Sequence, residues 1–222
     1  MKRRNRDINI INMSALDLFA SGMGVFILLA VVAMPYYLNT SRAGNALIGI
    51  RTEAKSFVFV IDLSGSMEQY KQLMIETTQS LIEPMSPMNK IQIMGFGEAA
   101  ASSVVHWQPP YNLVSMNKQN KQAAMLYIQQ NIPAMFGGGT PTFEALIQAL
   151  KYDAEAIILV TDGDPTDATP DQIVNLITQM NAGQKQIHCI ALGSYALAVN
   201  ETKFLQNLAK QNNGRFIAME SN

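Results

Sequence analysis

The sequence predicts an α/β protein: a doubly wound, mainly parallel six-stranded sheet with one antiparallel edge strand, preceded by a single transmembrane helix. Three observations carry that expectation. Leu18 to Leu38 is an uncharged, apolar stretch of 21 residues. Beyond residue 55, short apolar runs alternate with segments of helical periodicity, the pattern of a parallel sheet covered on both faces. Two of those runs lead into acids at their carboxyl ends, Asp62 and Asp162.

As a helix the apolar stretch spans about 31 Å at about 1.5 Å per residue, close to a hydrocarbon core of about 30 Å. Tyr36 and Tyr37 stand at one end, where an aromatic belt lies. Lys2, Arg3, Arg4 and Arg6, opposed only by Asp7, place the N-terminus in the cytoplasm. The expected organisation is a basic cytoplasmic N-terminus over 1–15, a membrane helix over 16–38, a linker over 39–55 and a folded domain over 56–222. The chain is then a single-pass inner-membrane protein with its C-terminal domain periplasmic or otherwise extracytoplasmic. A cleaved signal peptide is the rival reading, but the stretch exceeds the usual apolar core and no small-x-small cleavage site follows. Asn39–Asn45 is small and polar, the composition of a short flexible linker.

In the domain, apolar strand runs occur at 56–62, 90–96, 102–107, 156–161, 186–192 and 215–219. Helices fill the gaps at 67–83, 118–131, 141–151, 170–181 and 201–212. Pro133 ends the second of these, Pro141 is a first-turn start signal, Thr169-Pro170-Asp171 opens the fourth, and Gly214 stops the last. The gap between 90–96 and 102–107 is too short for a crossover helix, so these two form a hairpin. With strands numbered along the domain, the expected order is 3-2-1-4-5-6. Strands one and four then flank the switch point, where open α/β sheets bind ligands at the carboxyl edge.

Hydrophobic residues make up 48% of the 222 and charged ones 15%, a hint that part of the chain is not in water. The net charge of −1 is uneven: Lys2, Arg3, Arg4, Arg6, Arg42, Arg51 and Lys55 against Asp7, Asp17 and Glu53 leave residues 1–55 at +4 and the rest at −5. A mildly acidic domain without a basic stripe argues against a nucleic-acid binder. The single cysteine, Cys189, excludes an internal disulfide and reads as a small buried hydrophobe. His106 and His188 lie far apart without metal-ligand spacing and read as structural. Trp107 reads as packing at the end of the hairpin. Asp164 and Asp167 form either an acidic rim or an ordinary turn. No nucleophile–His–acid set, phosphate loop or carboxylate pair points to catalysis.

In Asp62-Leu63-Ser64-Gly65-Ser66, alternation along extended backbone puts three oxygens on one side of a tight loop. Converging hard oxygens suit Mg²⁺, which keeps positions for water or a ligand. Gly137-Gly138-Gly139-Thr140-Pro141-Thr142 adds a glycine-rich loop with hydroxyls, and Thr161-Asp162-Gly163 adds a second strand-end acid. These three segments, in this order, resemble the von Willebrand factor A (vWA) family and its metal-ion-dependent adhesion site. The resemblance implies a Rossmann-like vWA domain. It implies Mg²⁺ or Mn²⁺ held by Asp62, Ser64, Ser66, Thr140 and Asp162, with Thr142 as the alternative threonine. It also implies a protein partner whose Asp or Glu completes the metal shell.

The order Asp7-Ile8-Asn9-Ile10-Ile11-Asn12, then Ala15-Leu16-Asp17, then the apolar helix, resembles the membrane segment of the ExbD/TolR and MotB stator proteins. That resemblance implies Asp17 as proton carrier, self-dimerisation through the helix, and MotA/TolQ/ExbB-like multi-span partners. Pro35 lies farther from Asp17 than that pattern has it, and Asp17 reads equally as an early-turn acid favouring the helix N-terminus. The leading expectation is a non-enzymatic, proton-driven stator subunit transmitting force through a metal-dependent binding domain. The alternative is a passive, membrane-anchored vWA scaffold for an assembly or chaperone machine.

Overall fold

The structure, a computed structural model, describes residues 20–25, 27, 46–47, 50–98, 103–193 and 199–220. Internal contacts divide the chain into two compact parts, residues 1–44 and 45–222. In the first, residues 20–25 and 27 are helical, with exposed Met23, Val25 and Ile27. The expected span at 16–38 lies largely outside the described residues, as does Asp17; among the described residues no helix is long and apolar enough to cross a membrane.

The second part begins with a short antiparallel pair, β1 (Ala46–Leu47) and β2 (Ile50–Arg51), then β3 (Ser56–Asp62). A 3₁₀ segment, Gly65–Tyr70, leads into α1 (Lys71–Ile82). Next come β4 (Lys90–Phe96), β5 (Val104–His106), β6 (Val114–Ser115) and α2 (Lys118–Leu126). The chain continues through α3 (Thr142–Leu150), β7 (Ala156–Thr161), α4 (Pro170–Asn181), β8 (Gln186–Leu192), α5 (Val199–Gln211) and β9 (Phe216–Met219).

The sheet runs β5-β4-β3-β7-β8-β9, the expected 3-2-1-4-5-6. Five of these strands are parallel and β5 is antiparallel. The sheet has seven strands rather than six, because Val114–Ser115 also pairs antiparallel with the start of β4. Two residues are too few to show alternation in a sequence. Two further boundaries differ from expectation. Pro133 does not end its helix: α2 passes through a π turn at Tyr127–Asn131 into a 3₁₀ turn at Ile132–Ala134, whose start tolerates proline. Pro141 occupies the cap position of α3, with ψ 64°, rather than its first turn.

The central strands β3, β4, β7 and β8 are buried on both faces, so they read as continuous apolar runs, whereas β5, β6 and β9 are largely half-buried. Phe57, Phe59 and Ile61 of β3 point into one core layer with Met74, Leu81 and Ile82 of α1 and Ala124 of α2. Val58 and Val60 point into the other, with Ala145 and Leu146 of α3, Ile173 and Ile177 of α4 and Leu205 and Leu208 of α5. Burying each large apolar side chain contributes about 1.5–3 kcal/mol. Ile50 and Ala54, within the stretch expected as linker, also belong to the first layer. Cys189 is buried in the second layer, and burial pushes its thiol up, so it is an inert hydrophobe.

Register decides where functional groups go. Ser56 pairs with Lys90 and Phe57 with Ala156, so one edge of the sheet collects the strand starts. Asp62 pairs with Phe96, and Ile61 with Val160, so the other edge collects the strand ends.

Candidate metal centre

Asp62 is the last residue of a strand buried from Phe57 onward and is itself 0% exposed. Its carboxylate is held twice: the Ser64 N–H donates to Oδ1 (2.8 Å) and the Thr161 hydroxyl to Oδ2 (2.5 Å). Burial raises its pKa to about 7; those hydrogen bonds oppose the shift, and the Asp162 charge adds to it. Beyond Asp62 the chain turns sharply. Leu63 N–H donates to Phe96 O and Met67 N–H to Ser64 O, which opens the 3₁₀ turn. Gly95 makes room for this turn, since a Cβ there would lie 2.5 Å from Leu63 Cδ1. Ser64 is buried and Ser66 exposed, and their hydroxyl oxygens lie 3.1 Å apart.

The glycine-rich loop is laced onto this turn from both sides. Gly65 N–H donates to Gly138 O (3.1 Å) and Gly137 N–H to Leu63 O (2.9 Å). Positive φ at Gly137 (147°) and Gly138 (73°) lets the loop turn back at that point. Thr140 is buried, and its backbone is fully engaged: its N–H donates to Thr166 Oγ1 (2.9 Å), and its carbonyl accepts from Thr142 and Thr166 N–H. Its hydroxyl is the group left for a ligand. The Thr142 hydroxyl instead donates to Thr140 O (3.4 Å), so Thr140 is the better candidate of the two threonines.

Asp162 follows β7. Its Oδ1 is buried and has no hydrogen-bond partner among the described residues. Burial raises its pKa, the Ser66 hydroxyl opposes that shift, and Asp164 reinforces it. A buried carboxylate oxygen without a donor costs free energy unless a ligand meets it. The two carboxylates, Asp62 and Asp162, sense each other's charge. Both features suit a divalent cation, which would meet the orphaned oxygen and favour both charged forms. Among the described residues no three His, Cys, Asp or Glu side chains cluster; this site is made of hydroxyls and two acids, the hard-oxygen set suited to Mg²⁺ or Mn²⁺.

The fold thus brings the Asp62–Ser66, Thr140 and Asp162 segments to one place through hydrogen bonds between their loops. A scan for known families matches residues 55–217 to the von Willebrand factor type A domain. The chain belongs to the vWA family. It is 30% identical over 185 residues to human inter-alpha-trypsin inhibitor heavy chain H4, covering 75% of this chain and 18% of that one. It is 29% identical over 174 residues to the bovine heavy chain H1, covering 72% and 18%. The chain therefore spans about a fifth of these relatives' length. In fold, this vWA domain is similar to a von Willebrand factor type A protein from Catenulispora acidiphila (TM-score 0.61, 21% identity, 75% of this chain and 39% of that one). It is also similar to BatB from Bacteroides thetaiotaomicron (0.55, 16%, 75% and 91%). A third structure of the same fold is an aerotolerance-related membrane protein from Bacteroides fragilis (0.54, 18%, 74% and 90%).

Three residues that sequence reasoning gave no role, Thr161, Thr166 and Glu98, and a fourth it left as rim or turn, Asp167, support the vWA site. Thr161 holds Asp62; its signal is a hydroxyl directly before the second acid, opposite Asp62 once the two strands are paired. Thr166 holds Thr140. Asp167, expected as rim or turn, caps α3 by accepting from Phe143 and Glu144 N–H with its two oxygens. Glu98 accepts from Gly139 N–H (3.0 Å), and a Cβ on Gly139 would collide with that carboxylate at 2.7 Å. The histidines are structural. His106 Nδ1 bonds the Tyr152 hydroxyl, and His188 Nδ1 accepts from Arg215 N–H, which leaves Nε2 to donate to Gln186 Oε1. Trp107 packs against the first core layer, its N–H on Ile93 O.

Proposed function

We propose that the chain is a membrane-anchored protein whose vWA domain captures a carboxylate-bearing protein partner through one Mg²⁺ or Mn²⁺. The observation that carries the reading is the orphaned Asp162 Oδ1, buried beside the Ser66 hydroxyl at the strand-end edge. Asp62, Ser64, Ser66, Thr140 and Asp162 are the residues to hold the ion. A cation held largely by neutral hydroxyls keeps much of its charge, so an Asp or Glu from another protein completes its shell. Metal and partner binding are then thermodynamically coupled. The function is docking, without covalent catalysis. The anchor rests on the uncharged stretch Leu18–Leu38 and the basic residues before it. The Bacteroides fragilis protein of the same fold is a membrane protein, which agrees with an anchored domain of this kind.

Calorimetric titration of Mg²⁺ into the full chain tests the metal reading. Millimolar Mg²⁺ should bind the wild type and raise its melting temperature, and neither should occur in Asp62→Ala. Silence in the wild type would end this reading.

The narrower stator role rests on Asp17 alone, one acid at the entrance of an otherwise uncharged stretch. Such a carboxylate can take up and release a proton as its surroundings change between wet and dry. It would couple ion flow through MotA/TolQ/ExbB-like subunits to movement of paired domains. Asp17→Asn should keep insertion and lose biological activity; a fully active Asn variant leaves the anchored scaffold as the function.

A further inference from the structure

The two edges of the sheet differ in charge. Around the metal centre lie Glu68, Glu98, Asp164 and Asp167, with Glu144 and Asp171 in the first turns of α3 and α4. At the strand-start edge, about 20 Å away along seven-residue strands, Lys55, Lys90 and Lys185 line an open depression of about 740 Å³ together with Met88, Tyr111 and two acids, Asp153 and Glu155; the Lys185 ammonium donates to Tyr152 O and Ala154 O. A second, adjoining depression of about 800 Å³ carries Lys118, Lys121 and Leu126. Register connects the two, because Lys90 pairs with Ser115, three residues before Lys118. Of the acids at this edge, Glu155 is engaged in the fold, accepting from Lys55 N–H (2.6 Å), while Asp153 and Glu83 share the two depressions with the lysines. Met88 (73% exposed), Tyr111 (58%) and Leu126 (50%) stand out between the lysines. Lysines interleaved with exposed apolar tips fit the headgroup layer of an anionic bilayer, where ammonium groups meet phosphates and apolar or aromatic side chains enter the interface.

The path of the chain points to the same surface. The polypeptide enters β3 at Ser56, at this edge, and only residues 39–55 separate it from the apolar stretch. We propose that the vWA domain rests on an anionic membrane surface by its strand-start edge, through Lys55, Lys90 and Lys118 with Met88, Tyr111 and Leu126, and presents its metal centre away from the bilayer. This orientation rests on the membrane-anchored reading above. The acidic edge is repelled by the same surface that attracts the lysines, so the charge asymmetry orients the domain as well as holding it.

The test uses the full chain in lipid nanodiscs containing phosphatidylglycerol, with a fluorophore on Met88→Cys or, at the opposite edge, on Glu68→Cys. Cys189 is buried and stays unlabelled. Lipids carrying a nitroxide on the headgroup should quench the label at position 88 several-fold more than the label at 68. Replacing Lys55, Lys90 and Lys118 together by Glu, or raising the salt, should abolish the difference. Equal quenching at both positions, in discs that retain the protein, overturns this proposal and leaves the anchored reading standing. Excess quenching at 88 that survives the lysine reversal also overturns it, because the tether alone would then set the approach. A chain that washes off the discs overturns the anchored reading, and this orientation with it.

Discussion

At the strand-start edge, Asn181 and Asn212 are buried, yet their polar groups are paired within the fold. Asn181 Nδ2 donates to Lys185 O and Asn212 Oδ1, its Oδ1 accepts from Lys185 N–H, and Asn212 Nδ2 donates to Thr178 Oγ1 and Leu208 O. At the strand-end edge, Asp62 is buried and Asp162 half-buried, but the buried Asp162 Oδ1 has no partner among the described residues and burial raises both carboxyls. The same sheet carries both clusters, and the difference separates two uses of buried polarity. The asparagines close the ends of α4 and α5 and specify the fold, whereas the aspartates leave hydrogen-bonding capacity open for a ligand.

The contrast can be broken from either side. The largest expected effect is on the asparagine side. Asn212→Ala takes away one of the two acceptors of Asn181 Nδ2 and leaves the Leu208 carbonyl without its side-chain donor, and it should lower stability by about 3 kcal/mol. Chemical denaturation should show the same loss with and without Mg²⁺. A loss that Mg²⁺ repairs would mean the two edges are not independent.

On the aspartate side, Asp62→Ala should leave the metal-free domain folded, because the carboxylate it removes is costly to bury. It should, however, remove the Mg²⁺-dependent stabilisation, about 2.7 kcal/mol at a hundredfold excess over Kd. Melting curves with and without Mg²⁺ check this. A Mg²⁺ shift that persists in the variant would place the ion elsewhere.

His188 offers a control that is buried and titratable but remote from metal chemistry. Burial, with Arg215 nearby, lowers its pKa from 6.5 to about 4, so the folded state keeps it neutral. The unfolded chain takes up that proton first on acidification. Its contribution to stability is therefore complete above about pH 6.5 and lost as pH falls towards about 4, amounting to about 2 kcal/mol by about pH 5. His188→Gln should flatten that part of the stability–pH profile. An unchanged profile would assign the acid sensitivity to the carboxylates.

The smallest effect sharpens the comparison most. Thr166→Val removes the acceptor for Thr140 N–H and should cost about 1 kcal/mol. Mg²⁺ affinity should fall roughly fivefold, the equivalent of that figure, and Thr166→Ser should restore it. Weakened stability with unchanged Mg²⁺ affinity would reduce Thr166 to a structural bond.

Local patterning was enough to read most of this molecule. The runs containing Val58, Val60, Ile157 and Leu159 announce strands buried on both faces, and the spacing of Asp62, Ser64 and Ser66 announces converging oxygens, because period and reach are properties of a short segment. The mainly parallel sheet followed from the alternation of elements, since parallel strands need crossovers. Tertiary structure alone decided the rest. Thr161 meets Asp62 only because two strands about a hundred residues apart in sequence pair in one register. Thr166 and Asp167 read as turn residues until α3 is placed where they can hold Thr140 and cap the helix. Val114–Ser115 is too short to carry a period, and Ile50 joins the core from a stretch whose composition reads as linker. In each case the deciding partner is distant in sequence, and register sets which distant groups meet.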